Sequence, residues 1–148
     1  AGVSDEPTSA RVHATTVAID GWGVMLVGAS GAGKSDLALR LIDRGAVLVS
    51  DDYTDLAQRG DALIATPPPN IAGRMEIRGL GIVDQAFATS ILIQLVVSLG
   101  DEIDRMPEPR WRTIAGVRVR EIVIDPHPAS APIKVKRALK LFAMGDAA

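Results

Sequence analysis

Residues 28 to 35 read Gly28-Ala29-Ser30-Gly31-Ala32-Gly33-Lys34-Ser35, the G-x-x-x-x-G-K-S spacing of a phosphate-binding loop. The glycines let the backbone wrap an oligophosphate so that successive N–H groups point inward. Lys34 supplies a cation for the β and γ phosphates, and the Ser35 hydroxyl is placed to ligate Mg²⁺. Further along, Asp51 and Asp52 stand side by side. A carboxylate facing such a loop either holds the metal's water shell or accepts a proton from the attacking group. Neighbours on a regular strand point to opposite faces, so the two acids divide the work: one in proton transfer, the other in the metal shell or in structure.

These groups need a strand before the loop and a helix after it. Gly23 to Val27 is the apolar run that precedes the loop, and Asp36-Leu37-Ala38-Leu39-Arg40-Leu41-Ile42 continues it as a helix to about Arg44, with Gly45 as its terminator. The helix N-terminus favours anions where the phosphates would sit. Val12 to Ile19 is rich in β-branched residues and meets Val24 to Val27 across the turn Asp20-Gly21-Trp22-Gly23, which predicts a hairpin carrying His13 on its first strand. Ala46 to Ser50 is a buried strand that ends at the two aspartates. Tyr53 to Gln58 and Ala62 to Thr66 read as short strands about the Arg59-Gly60-Asp61 turn, before the break Pro67-Pro68-Pro69-Asn70. Ile91 to Ser98 and Val117 to Ile124 are further strands, Gly100 to Arg112 a charged, proline-punctuated loop, and Pro132 to Met144 a closing helix. Residues 1–10 read as a flexible lead-in and 11–148 as one α/β domain with a mixed central sheet.

Composition narrows the function classes. The chain has 148 residues, 47% of them hydrophobic and five of them aromatic, so the core is aliphatic, as suits strands covered by helices. A formal charge of −2 speaks against broad nucleic-acid affinity. Lys134, Lys136, Arg137 and Lys140 read as a solvated helix face. There is no cysteine, and the longest apolar segment, Ile91 to Leu99, is too short to span a bilayer. These features together predict a soluble cytoplasmic protein.

Gly28 to Ser35, then Val49-Ser50-Asp51-Asp52, then Glu76-Ile77-Arg78-Gly79-Leu80-Gly81-Ile82 closely resemble the catalytic domain of the bacterial HPr kinase/phosphorylase family. The last string is the specific one, since phosphate loops occur in many unrelated NTPases. The resemblance covers His13 to Met144 and implies a short form without the family's N-terminal domain. It implies a fold similar to the nucleotide-binding domain of HPr kinase/phosphorylase and phosphoenolpyruvate carboxykinase. It also implies ATP and Mg²⁺ as cofactors, with inorganic phosphate and pyrophosphate in the reverse direction. The implied partner is HPr or an HPr-like phosphocarrier protein, and the implied assembly a homo-oligomer, a hexamer in the family.

Residue by residue, the family's histidine matches His13, its loop lysine and serine match Lys34 and Ser35, and its paired aspartates match Asp51 and Asp52. Its metal-binding glutamate matches Glu76, and its mobile arginine falls on Arg105 within Asp104-Arg105. The resemblance thus implies Asp51 as the acceptor of the seryl proton, His13 tuning Asp51, and Ser35, Glu76 and Asp52 around the metal. Lys136 and Ala138 depart from the family, standing where glycine and asparagine are usual. Two rival functions are a small-molecule kinase, for which the chain has little helix to build a lid, and a nucleotide-sensing regulatory protein with weak or no phosphotransfer.

Overall fold

Two apolar runs that are buried on both faces set the centre of the molecule. In the computed structural model, which describes residues 8–142, β3 (Trp22–Val27) and β9 (Ile91–Leu99) lie parallel, with Met25 opposite Val96 and Val27 opposite Ser98. Near-continuous hydrophobic strands of this kind belong between two covering layers. β2 (Ala14–Ile19) runs back antiparallel along β3, and β4 (Val47–Ser50) pairs with the far edge of β2. On the other side, β9 shares its free edge between two partners. Ile91 and Leu92 pair antiparallel with β6 (Ala62–Thr66), while Val96 to Leu99 pair parallel with β11 (Val117–Ile124). Beyond β6 lie β5 (Thr54–Arg59) and β1 (Ser9–Val12), and beyond β11 lies β10 (Arg110–Ile114). The result is a mixed, nine-stranded curled sheet.

The two faces of that sheet are covered differently. Leu37, Ala38 and Leu41 of α1 (Lys34–Asp43) and Val135 and Leu139 of α2 (Ala131–Phe142) pack with Val24, Leu26, Leu95 and Val97. On the opposite face, Met25, Val27 and Val96 meet Val49, Leu56, Leu63 and Val119, so the curled sheet covers itself there. A separate two-stranded hairpin, β7 (Arg74–Ile77) and β8 (Gly81–Asp84), is anchored to the helical layer by the buried Met75. Lys134, Lys136, Arg137 and Lys140 are exposed on α2, the solvated face that the sequence predicts. No helix among the described residues is long and apolar enough to cross a membrane.

Where the elements differ from the sequence reading, the cause is local. The run Val12 to Ile19 is two strands, because Val12 pairs with Thr54 while Ala14 pairs with Val27. His13 therefore sits at a bend between strands, not on the hairpin. Of the segment expected to be flexible, residues 1–7 lie outside the described part, but Ser9 and Ala10 are held in β1 opposite Ala57 and Leu56. The predicted hairpin turn is a tight one: Asp20 and Gly21 both have positive φ (52° and 83°) and Ile19 faces Trp22, as a primed two-residue turn requires. The loop read from Gly100 to Arg112 ends sooner, since Arg110 to Ile114 form β10 across the turn Ala115-Gly116, again with both φ positive. Trp111 is the reason this exposed strand stays down: the guanidinium of Arg118 lies 4.2 Å from its ring centre, and Arg120 bridges Trp111 to Phe142 at the end of α2. The expected end of the last helix at Met144 lies outside the described residues.

Leu95, with no exposure, and Leu80, 74% exposed at the tip of the small hairpin, make a matched pair of tests. Leu95→Ala is expected to cost about 2–5 kcal/mol, whereas Leu80→Ala stays within about 0.5 kcal/mol. Urea unfolding midpoints of the two variants measure the difference.

Candidate functional site

The phosphate loop joins the end of β3 to the start of α1. Gly31 and Gly33 take φ of 82° and 104°, values that side chains other than glycine's adopt rarely. Gly33 is also the N-cap of α1 and makes no side-chain cap, so the first amides of the helix are left for an external acceptor. Behind the loop, Lys34 is buried, and its Nζ donates to the carbonyls of Gly28 (2.8 Å) and Ala29 (3.1 Å). A helix N-terminus, a buried ammonium and a serine hydroxyl in one turn form a donor set that fits an oligophosphate with a hard cation. A loop of residues 125 to 128 braces this turn. Arg40 of α1 donates to the carbonyls of Pro126 and Pro128, and a Cβ on Gly33 would lie 3.5 Å from the Pro126 ring. Asp125 in that loop accepts from the His127 amide at 3.0 Å and from its Nδ1 at 2.7 Å. Those two donors, the backbone amide first, hold the Asp125 carboxyl below the usual carboxylate range.

The neighbouring aspartates at the end of β4 are turned in different directions. Asp51 is 6% exposed and points under the loop. Its Oδ1 accepts from Ser35 Oγ at 2.6 Å and from Thr15 Oγ1 at 3.0 Å, and its Oδ2 accepts from the Glu76 amide at 3.2 Å. Asp52 has φ of 71°, and the Tyr53 amide donates to the Asp51 carbonyl at 2.8 Å. A hydrogen bond between residues two apart about a positive φ is a γ-turn of the rare, strained hand. This turn throws the Asp52 carboxylate outward, where its side chain is 62% exposed and Oδ1 lies 2.8 Å from His13 Nε2. Thr15 serves both acids, since its hydroxyl also accepts from the Asp52 amide at 3.2 Å.

The sequence reading linked His13 to Asp51 and assigned Asp52 to the metal. The hydrogen bonds join the residues otherwise: Asp51 meets Ser35, and His13 meets Asp52. The divergence of the two acids is as expected from adjacency, but its direction depends on the left-handed backbone at Asp52. Glu76 enters from β7, with its amide on Asp51 and its side chain exposed to an open cavity of about 500 Å³ that Asp51 and Asp52 also line. Arg11, Tyr53 and Arg74 are among the other residues that line it. Among the described residues no cluster of three or more His, Cys, Asp or Glu side chains is arranged to hold a metal by itself. Ser35 and Glu76 carry oxygens of the kind that Mg²⁺ takes when phosphate oxygens and water supply the rest of its shell. Arg105 lies in the exposed run 101–109 and makes no hydrogen bond or ion pair with the loop, the aspartates or Glu76 among the described residues. Sequence reasoning missed Thr15 and Arg40. A threonine in a β-branched run and an arginine on a helix carry no local mark that they brace a site.

Comparison with known proteins points to one family. Residues 7–135 match the model described as the HPr Serine kinase C-terminal domain. The HPr kinase/phosphorylase of Lactobacillus johnsonii is 35% identical over 150 aligned residues, which cover 93% of this chain and 46% of that protein. That of Clostridium botulinum is 31% identical over 131 residues, 80% of this chain and 43% of its own length. The chain thus spans less than half the length of these curated relatives. A solved structure described as the Hpr(Ser) kinase/phosphatase from Coxiella burnetii superposes with a TM-score of 0.78 at 32% identity, covering 89% of each chain.

Thr15 is fully buried, and its hydroxyl bonds both the Asp51 carboxylate and the Asp52 amide. Thr15→Val keeps the shape but removes a donor from buried Asp51, and is expected to cost about 1–3 kcal/mol. Thr15→Ser is expected to keep most of that stability. Thermal or urea unfolding of the two variants makes the comparison.

Proposed function

Because the chain belongs to the family of HPr serine kinase C-terminal domains, we propose that it transfers the γ-phosphoryl group of ATP to a seryl hydroxyl of HPr or an HPr-like phosphocarrier protein. In the reverse direction inorganic phosphate attacks the phosphorus of the phosphoserine, the bond from phosphorus to the seryl oxygen breaks, and pyrophosphate is formed. The observation that carries this reading is the split of the two aspartates. One is buried and hydrogen-bonded to the loop serine, and the other is largely exposed and paired with a histidine at the wall of the adjoining cavity.

The split supports a division of roles. The loop amides and Lys34 hold the phosphates, and Ser35 and Glu76 would hold Mg²⁺, whose charge offsets that of the phosphoryl oxygens. Asp51, buried and already bonded to Ser35 Oγ, orients that hydroxyl and belongs to the metal side of the site. Asp52 is the better proton acceptor: it is exposed to an incoming protein side chain, and His13 occupies one of its oxygens. As the seryl oxygen forms its bond to phosphorus, its proton passes to the free Asp52 oxygen, and the bond from phosphorus to the β–γ bridging oxygen breaks. In reverse, the carboxylic acid returns that proton to the departing seryl oxygen. Arg105, on its exposed loop, would reach the phosphoryl group only after that loop closes over bound substrate, as lids in such enzymes do.

Purified chain, an HPr-like carrier, ATP and Mg²⁺ test the proposal, with phosphoserine on the carrier as the readout. Asp52→Asn is expected to slow transfer by about 10²- to 10⁴-fold, the usual contribution of a general base, with nucleotide affinity unchanged. Asp51→Asn is expected to weaken Mg²⁺-dependent nucleotide binding itself. Tight nucleotide binding by the wild-type chain with no carrier labelled in either direction would instead mark a nucleotide-sensing protein.

A further inference from the structure

We infer that Tyr53 is a positioning residue that holds the His13 imidazole on Asp52, an inference that rests on the reading of Asp52 as proton acceptor. His13 lies at the bend between β1 and β2, outside any strand, and its side chain is one-third exposed. Its hydrogen bond to Asp52 ends on a carboxylate that is itself largely exposed. A ring tethered at one nitrogen to a solvated acid keeps rotational freedom about its side-chain bonds. The second restraint is the Tyr53 ring, whose centre lies 5.1 Å from that of His13 with the planes inclined by 29°, within the range of offset aromatic stacking.

Tyr53 is in turn fixed by the turn that aims Asp52. Its amide donates to the Asp51 carbonyl at 2.8 Å, and its carbonyl accepts from Ser50 Oγ. The next residue, Thr54, is fully buried and opposite Val12, and its hydroxyl donates to the Ala14 carbonyl at 2.9 Å. The segments 12–14 and 53–54 are therefore clamped on both sides of the His13–Tyr53 contact. One side of the phenol ring is left for solvent and for the cavity that Asp52 lines, with Tyr53 45% exposed overall. An aromatic residue so exposed adds little to the core. What it meets is the imidazole, and through it the carboxylate.

The chain has two histidines, His13 and the exposed His127, so proton NMR resolves the partner of Tyr53 with an internal reference. The carbon-bound ring protons of His13 are expected upfield of those of His127 through the Tyr53 ring current. Tyr53→Leu should remove that displacement and Tyr53→Phe preserve it. In the carrier phosphorylation assay Tyr53→Leu is expected to lower kcat roughly 10- to 100-fold, the scale of a misplaced catalytic group, with KM for ATP unchanged. Tyr53→Phe should retain near-normal kcat, and Tyr53→Leu should cost nothing further in a His13→Ala background. The inference is overturned if Tyr53→Leu leaves the His13 signals in place, leaves kcat intact, or lowers it equally when His13 is already alanine. If Asp52→Asn transfers phosphate at the normal rate, the reading of the site fails as well. A slow Asp52→Asn beside a normal Tyr53→Leu removes the inference alone.

Discussion

The left-handed backbone of Asp52 is the constraint on which the site depends. On a regular strand Asp51 and Asp52 would face opposite sides of the sheet, and at most one would serve the phosphate loop. With φ of 71° and the Tyr53 amide bonded across it, the chain turns so that the first acid goes under Ser35 and the second goes out toward His13. A non-glycine residue in this conformation costs about 1–3 kcal/mol and persists only where its surroundings fix it. Here they do: Thr15 bonds the Asp51 carboxylate and the Asp52 amide, and Thr54, two residues after Asp52, donates its hydroxyl to the Ala14 carbonyl. Two groups of the same chemical type thereby acquire different surroundings, one buried among donors and one exposed beside an imidazole, which is how a single residue type can take two roles in one reaction.

The sheet places that turn beside the phosphate loop. β3 ends at the loop, and parallel β9 and β11 end beside it, so the carboxyl ends of all three strands define one rim, the rim on which open α/β sheets bind ligands. β4 reaches the same region by pairing with β2 rather than with β3, with a register irregularity between Thr16 and Val17. That pairing brings Thr15 of β2 beside the end of β4, where it meets both aspartates. The two-layer core supports this arrangement unevenly. Helices back the loop side through Leu37, Leu41 and Leu139, while the other side is strand on strand. The small β7–β8 hairpin hangs from Met75 and carries Glu76 to the cavity on an otherwise solvent-exposed ribbon.

Much of this was legible in the residues. The loop, its strand and its helix are specified by glycine, lysine and serine at fixed spacing, and the Asp20-Gly21 turn by a dipeptide that tolerates positive φ. The string Glu76 to Ile82 identified the family, which the comparisons then bore out. Positive φ at Asp52 and Ala115 was not legible, because neither residue type demands it. For the same reason the sequence showed that the acids must diverge but not which way. β10 hid behind charge: Arg110, Trp111 and Arg112 look like loop residues until Arg118 and Arg120 stack on the tryptophan from the next strand. The long-range supports, Thr15 on two aspartates and Arg40 on the carbonyls of residues 126 and 128, depend on contacts between segments far apart in the chain.

The geometry of the two carboxylates in the presence of nucleotide is the most direct test of this account. A crystal structure of the chain with Mg²⁺ and a non-hydrolysable ATP analogue should show Asp51 still bonded to Ser35 on the metal side, and Asp52 still paired with His13 with its second oxygen open toward the terminal phosphoryl group. An Asp51 carboxylate swung away from Ser35 to face that phosphoryl group, with Asp52 turned from it, would contradict the assignment of roles.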